Sequence, residues 1–344
     1  MITTHTIYFQ DAADMADLAP KLVNLVVTSP PYPMIEMWDE QFCSSCPEVG
    51  QALEAGDGRH AFELMHLCLD RVWSEVDKVL EPSGVVCINM GDATRSVGGT
   101  FRLYPNHIRI ARFFTERGYD MLPLILWRKT SNKPNKFMGS GMLPPNAYVT
   151  LEHEYILIFR KGGNRQFPGD TAIRRQSAYF REERNLWFSD VWSDLKGVPQ
   201  QLNGGGRNRS AAYPVELPYR LIQMYSVHGD TVLDPFAGTG TTMLAAMASG
   251  RNFAGYEIDR TMEPVIDARV DHIKELANLM TTERLERHRQ TISRETDNKT
   301  DPYTSRQYGF PVKTAQETDI ALPLIENVTR AADGRYHVEY KKNE

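Results

Sequence analysis

One run, TVLDPFAGTGTTMLAAMASGRNFAGYEID at residues 231–259, constrains the fold more than any other stretch of the chain. A short β-favouring segment leads into a turn with two glycines. An apolar helix follows, and a second strand ends in an acid. Strand, turn, helix and strand in this order predict an α/β fold. Gly238 and Gly240 let the backbone come close to a ligand at the helix N-terminus, and Glu257 arrives about 20 residues later, where an acid meets ribose hydroxyls.

The expected ligand is a nucleoside-containing cofactor. No Lys follows the second glycine, so the turn is not a phosphate-cradling loop. Met243 stands where a dinucleotide fingerprint carries its third glycine, which disfavours a pyrophosphate. Asp234 has the wrong charge to lie beside a pyrophosphate, but it suits the ammonium or sulfonium of S-adenosylmethionine.

The same alternation runs through the rest of the chain. Strands are expected at 6–9 and 22–28, and a helix over 61–80 places Phe62, Met65, Leu69, Val72, Trp73, Val76, Val79 and Leu80 on one face. EPSG ends that helix and VVCINMGD is the next strand. A helix–strand pair follows in PNHIRIARFFTERGYDMLPLILWRK, then a long strand in YVTLEHEYILIFRKG. Periodicity disappears from 161 to 212, so this stretch reads as an irregular insertion, and it resumes near 215. Beyond 262 lie a charged helical stretch, a polar segment and a hairpin turning at Asp333 and Gly334.

A second motif sits near the start. VVTSPPY, residues 26–32, sets Ser29, Pro30, Pro31 and Tyr32 at the carboxyl end of a strand, where open α/β sheets bind ligands. The two prolines stiffen the loop. Tyr32 can stack on a nucleobase, while the Ser29 hydroxyl and the Pro30 carbonyl can accept hydrogen bonds from an exocyclic amine.

With TSPPY at 28–32 ahead of DPFAGTGTT at 234–242, the chain resembles S-adenosylmethionine-dependent DNA amino-methyltransferases of the β arrangement, over roughly residues 5 to 260. The resemblance implies a Rossmann-like methyltransferase fold in circularly permuted order, a mixed, mostly parallel sheet with helices on both faces. Residues 1–160 would form the catalytic half, 161–212 a target-recognition insertion, 213–262 the cofactor-binding half, and 263–344 a helical extension and tail. It implies cofactor contacts from Asp234, Pro235, Phe236, Gly238, Thr239, Gly240, Thr241 and Glu257, with Asp11 beside the adenine. YPVELP at 213–218 resembles the family's HPxxxP segment and brings Pro214 to the methionine moiety, although Tyr213 replaces the usual His. Trp127 in LILWRK, with Lys129, would border a flipped base. Ser in the position of Ser29 goes with cytosine N4 in this family, and Asp there with adenine N6, so cytosine is favoured.

The target nucleotide must leave the duplex to reach such a pocket. The amine nitrogen then attacks the sulfonium methyl in line, with no covalent enzyme intermediate. Cytosine ring-carbon methylation needs a cysteine after proline, and the chain has Cys46-Pro47 but no Pro-Cys dipeptide. Other readings are an adenine N6 enzyme, a catalytically silent DNA-binding protein and a nucleotide-dependent oxidoreductase. The resemblance also suggests double-stranded DNA as partner, a restriction endonuclease acting on the same site, and leaves room for a homodimer.

Composition fits a soluble cytoplasmic enzyme with no membrane association: no apolar run nears membrane length and no signal peptide is legible. The net charge of −5 hides an asymmetry, because residues 127–220 hold 15 Lys and Arg against 8 Asp and Glu. In the basic insertion Arg165, Arg174, Arg175, Arg181, Arg184, Arg207 and Arg209 are candidates for phosphate or guanine contacts, with Gly204 to Gly206 allowing close approach. Cys43 and Cys46 form a lone CxxC near His60, His66 and Cys68, a pattern too incomplete to assign zinc.

Overall fold

The structure is a computed structural model and describes residues 1–129, 138–168, 171–197, 213–295 and 303–341. Ten strands among these form one sheet: β1 (Ile2–Tyr8), β2 (Val23–Thr28), β3 (Leu80–Met90), β4 (Asp120–Arg128), β5 (His153–Arg160), β6 (Val191–Trp192), β7 (Thr231–Asp234), β8 (Asn252–Tyr256), β9 (Ile325–Arg330) and β10 (Tyr336–Tyr340). Their order across the sheet is β6-β4-β5-β3-β2-β7-β8-β1-β10-β9. Strands β3, β2, β7, β8 and β1 run parallel, whereas β5 is antiparallel to both β3 and β4. The sheet is therefore mixed and mostly parallel, as the resemblance implies.

Side chains of the central strands alternate between two cores, one on each face. Val26, Val86, Ile88, Leu157, Phe159 and Leu233 pack on one side with α2 (Gly58–Val79) and α3 (Asn106–Glu116). Leu25, Val27, Cys87, Ile156, Ile158 and Val232 pack on the other with α5 (Glu216–Tyr225) and α6 (Thr241–Ser249). Asp57 starts α2 by accepting the backbone N–H of His60. Trp73, on the apolar face of α2, is wholly buried, and a side chain of that size contributes on the order of 2–3 kcal/mol of burial energy.

Three expectations change. EPSG does not separate helix from strand, because Leu80 already begins β3 and the irregularity becomes a local distortion, with Ser83 at φ 73° and a register shift opposite Val23 to Leu25. The insertion is partly regular: after a short helix at Thr171–Gln176, α4 (Arg181–Trp187) leads into β6, which pairs parallel with β4. The last residues are no appendage. The hairpin β9–β10 adds two antiparallel strands beside β1, and α7 (Ile273–Glu295) packs on α6.

Helix α7 also grips the insertion through residues one turn apart. Arg284 donates to both carboxylate oxygens of Glu183 at 2.6 and 2.7 Å, and His288 pairs with Glu182 at 2.9 Å through Nδ1 and faces the Pro311 carbonyl at 3.2 Å through Nε2. Burial alone would lower the His288 pKa. The hydrogen bond and charge of Glu182, the Pro311 carbonyl and the charge of Glu317 outweigh it and raise the value. A raised folded pKa means that the stabilising imidazolium is fully present below about pH 6.5 and is lost as pH climbs through the folded value. The melting-temperature gap between wild type and His288→Gln should therefore be larger at pH 6 than at pH 9, as scanning calorimetry can check; an equal gap at both would refute the charged pairing.

Candidate active site

The carboxyl ends of β2, β7, β8 and β1 lie side by side, and both sequence motifs leave the sheet there. Asp234, the last residue of β7, is 1% exposed and turned inward. Its Oδ1 accepts the Thr28 hydroxyl at 2.6 Å and the Phe236 N–H at 3.0 Å; its Oδ2 accepts the Thr242 hydroxyl at 2.6 Å and faces the Tyr213 hydroxyl at 3.4 Å. Burial pushes its pKa up against these hydrogen bonds, which pull it down. The expected contact with a ligand's positive charge is replaced by an organising role: Asp234 joins the strand before TSPPY to the glycine turn.

Gly240 caps α6 with φ 76°, and Gly238 has φ 53°, conformations that only glycine adopts without strain. Arg269 donates to the Thr239 carbonyl and hydroxyl, both at 2.7 Å, and to the Thr241 hydroxyl at 2.9 Å. Thr239 and Thr241 are thereby held from behind by a residue for which the sequence offered no signal. Glu257 takes the N–H groups of Gly238 and Asp259 on its two oxygens at 2.8 Å each.

A cleft of about 920 Å³, including its open mouth, lies between the two motifs. Asp11, Ser29, Pro31, Pro235, Phe236, Gly238 and Glu257 all line it, as the sequence brings them together. The opposite wall, from Trp38, Phe42, Cys68, Leu69 and Arg71, was not foreseen. It comes from α1 (Asp39–Ser45) and from the face of α2. Phe236 meets Trp73 edge-on at 5.7 Å, which fixes its ring at the rim. Pro214 is half-buried beside Tyr213, which hydrogen-bonds the Thr242 hydroxyl at 2.6 Å and so supports the turn.

The SPPY loop is braced from beneath. Asn106 donates to the carbonyls of Pro33 and Gly91 at 3.1 and 2.9 Å and receives His66 Nε2 at 3.0 Å. A side chain at position 91 would strike the Tyr32 ring at 2.9 Å, so Gly91 is what lets that ring lie at the end of β3. The Tyr32 hydroxyl donates to Glu154 Oε2 at 2.9 Å, while Asn89 Nδ2 donates to the hydroxyl oxygen at 2.8 Å and to Glu154 Oε2 at 2.7 Å. Burial and then the charge of Glu154 hold the phenol well above its ordinary pKa, so it stays protonated.

This network fixes the Ser29 proton. The phenol hydrogen is committed to a carboxylate, so at the 3.1 Å contact with Tyr32 the Ser29 hydroxyl is the donor, and Asn89 Nδ2 lies 3.5 Å from the same Oγ. A lone pair of Oγ then remains for an incoming donor. Neither Asn89 nor Glu154 was singled out from sequence.

Two expected base contacts move. Trp127 is fully buried, its indole N–H bound to the Leu195 carbonyl at 3.0 Å, so it supports the pocket from within the core and borders no base. Lys129 is 8% exposed, reaches Glu154 Oε1 at 2.5 Å and sits 4.6 Å from the Trp127 ring. Its charge is used inside the protein, not on a phosphate. The arginines of the insertion move further. Arg165 pairs with Asp230, which precedes β7, and Arg174 and Arg175 line a cleft with Asn24, Ser83 and Val85. That is the amino edge of the sheet, opposite the motifs, because antiparallel β5 carries the chain there. Arg207, Arg209 and Gly204 to Gly206 lie outside the described residues.

Among the described residues, Cys43, Cys46, His60, His66 and Cys68 do not converge as a ligand set. Cys46 Sγ approaches Glu48 at 3.2 Å, His66 is neutral with its pKa pushed down to about 3 by burial, and burial raises the Cys68 thiol to about 11. Among the described residues, the one cluster with metal-ligand spacing is Glu182, His288 and Glu317, where both imidazole nitrogens already face acceptors.

Residues 23–267 match the profile of the N6/N4 DNA methylases. The chain belongs to that family. It is 57% identical over 346 residues to the type II methyltransferase M.MthZI of Methanothermobacter thermautotrophicus, covering 99% of this chain and 96% of that one. It is 50% identical to M.MjaI of Methanocaldococcus jannaschii over 78% of this chain and 91% of the relative. A proposed DNA modification methylase of Thermus thermophilus, solved with S-adenosyl-L-methionine, superposes with TM-score 0.61 at 30% identity, covering 78% of this chain and 94% of that structure. The cytosine-N4-specific PvuII methyltransferase, 18% identical with TM-score 0.53, shares the fold. As an N6/N4 DNA methylase, the protein carries its SPPY loop on a buried ion pair, and this can be tested. Glu154→Gln leaves Lys129 buried without a counter-charge and should cost about 3 kcal/mol in urea denaturation, whereas Glu152→Gln, whose partner Arg128 is exposed, should cost under about 1.

Proposed function

We propose that this DNA methyltransferase modifies the N4 amine of cytosine in duplex DNA after the base has swung out of the stack. The observation that carries this reading is the Ser29 hydroxyl, held as an acceptor at the end of β2 beside the cofactor cleft. Support for cytosine over adenine is the residue type itself, Ser where adenine enzymes of the family carry Asp. The motif order and the SPPY and DPFAGTG pairing support the β arrangement on the same grounds.

S-adenosylmethionine is the cofactor, and when bound it supplies an electrophilic methyl group. The cleft fits it chemically. Each Glu257 oxygen accepts one backbone N–H, and a carboxylate oxygen takes more than one donor, so a ribose hydroxyl can join. Asp11 uses Oδ1 for the Ala13 N–H and offers Oδ2 to an adenine amine, and the Phe236 ring gives an apolar rim. Ser29 and the Pro30 carbonyl accept the two amine hydrogens of the target and turn its nitrogen lone pair outward. Tyr32 packs against the base, with its hydroxyl tied down so that the ring cannot swing away. Positioning of this kind is worth orders of magnitude in rate. A modification role paired with a restriction endonuclease of the same specificity completes the proposal.

The purified protein incubated with S-adenosylmethionine and unmethylated genomic DNA should yield N4-methylcytosine on nucleoside mass spectrometry. Tyr32→Ala should lower its rate of appearance about 100-fold or more. N6-methyladenine in its place would overturn the choice of base and keep the mechanism, and the absence of any methylated nucleoside would overturn both.

A further inference from the structure

The amino edge of the sheet, opposite the two motifs, carries a broad open cleft of about 2730 Å³ including the solvent at its mouth. Six arginines line it: Arg160, Arg165, Arg174, Arg175, Arg181 and Arg184; Glu317 is the one acid in the lining. Glu317 is itself occupied, accepting the backbone N–H groups of Arg181 and Thr314 at 2.8 and 2.7 Å. Arg160, Arg165 and Arg175 have carboxylate partners in Asp120, Asp230 and Asp319. Arg174, Arg181 and Arg184 have no ion pair to any described residue.

These three face the cleft, two of them with aromatic surface beside them. Arg174 lies 5.5 Å from the Phe167 ring and Arg184 lies 5.8 Å from Phe188, while Tyr179 lines the same wall. The wall is rigid, because α4 is clamped by the buried Arg284–Glu183 pair and the Ser177 hydroxyl receives the His228 N–H at 2.9 Å. From Val85, which lines this cleft, to Met90 at the catalytic end, β3 covers about 17 Å at ordinary strand rise. A duplex that presents its base to Ser29 is therefore on the other side of the sheet.

We propose that the amino-edge cleft is a second DNA-backbone site, binding a segment other than the one being methylated. The inference rests on the reading of the chain as a DNA-modifying enzyme. Guanidinium groups match phosphate in fork geometry, and cations without an ion pair among the described residues, beside aromatic rings, suit a nucleic-acid strand. A polymeric substrate held at the carboxyl edge also keeps further segments of itself at high local concentration. The enzyme would thus hold two stretches of DNA at once, one for chemistry and one for retention.

The test is capture. Full-length protein bound to a bead-tethered duplex of about 200 base pairs, on the order of the persistence length of DNA, is offered a second, fluorescent duplex. Wild type should retain the second duplex, and the combined variant Arg174→Glu, Arg181→Glu, Arg184→Glu should not, while methyl transfer to saturating genomic DNA stays within about twofold. The salt slope of log affinity for long DNA should fall by up to about 2.7, since each phosphate contact contributes about 0.9. Arg→Lys at the same three positions should restore capture, which separates lost charge from misfolding. Retention unchanged in the Glu variant, no capture by wild type, or capture abolished by an acidic peptide but not by competing DNA would overturn the proposal. So would parallel loss of methyl transfer, which would return these arginines to the target duplex. Wild type that captures DNA yet transfers no methyl group would count against the methylation reading alone.

Discussion

The buried carboxylate of Asp234 is the interaction on which the site depends. It lies 206 positions from Thr28 in the chain and takes the Thr28 hydroxyl on one side and the Thr242 hydroxyl on the other. Thr28 immediately precedes the SPPY loop, and Thr242 belongs to the first turn of the helix behind the glycine motif. A group so thoroughly hydrogen-bonded can remain buried as an acid, and its removal would leave several hydroxyls without an acceptor. The two motifs are therefore registered to each other by one buried side chain.

A second layer of the same kind lies under Tyr32. Glu154 and Lys129 form an ion pair in a nearly dry setting, and such pairs contribute more to a unique geometry than to net stability. Here the geometry is the hydrogen-bond direction of Ser29. The chain of donors from Asn89 and Tyr32 to Glu154 leaves the serine one way to point its proton. The placement of the Ser29 hydroxyl is thus inherited from residues on β3 and β5 and just beyond β4, not from the loop alone.

Both motifs were legible because each carries its own local physics. Gly238 and Gly240 adopt left-handed backbone, and two prolines stiffen a loop at a strand end, so residue type and conformation coincide. What could not be read was strand direction. The pattern HEYILIF is apolar and β-favouring whichever way it runs, and only its pairing shows that β5 is antiparallel. That reversal has two effects. It brings Glu154, at the start of a strand, to the catalytic edge, and it sends the arginines that follow the strand to the opposite one. Trp127 and Lys129 were brought to the site by the likeness of LILWRK to the family's base-bordering segment, and their mutual packing under Glu154 is a tertiary fact.

The terminal hairpin has a consequence of its own. Strand β10 lies antiparallel beside β1, with Ile2 opposite Glu339 and the Tyr340 N–H bound to the Met1 carbonyl at 3.2 Å. The first and last described strands thus meet at the amino edge, far from Ser29. A fluorescent protein or affinity handle joined ahead of β1 would project away from the chemistry, and trimming β10 would bare the flank of β1 as a template for unwanted pairing between molecules.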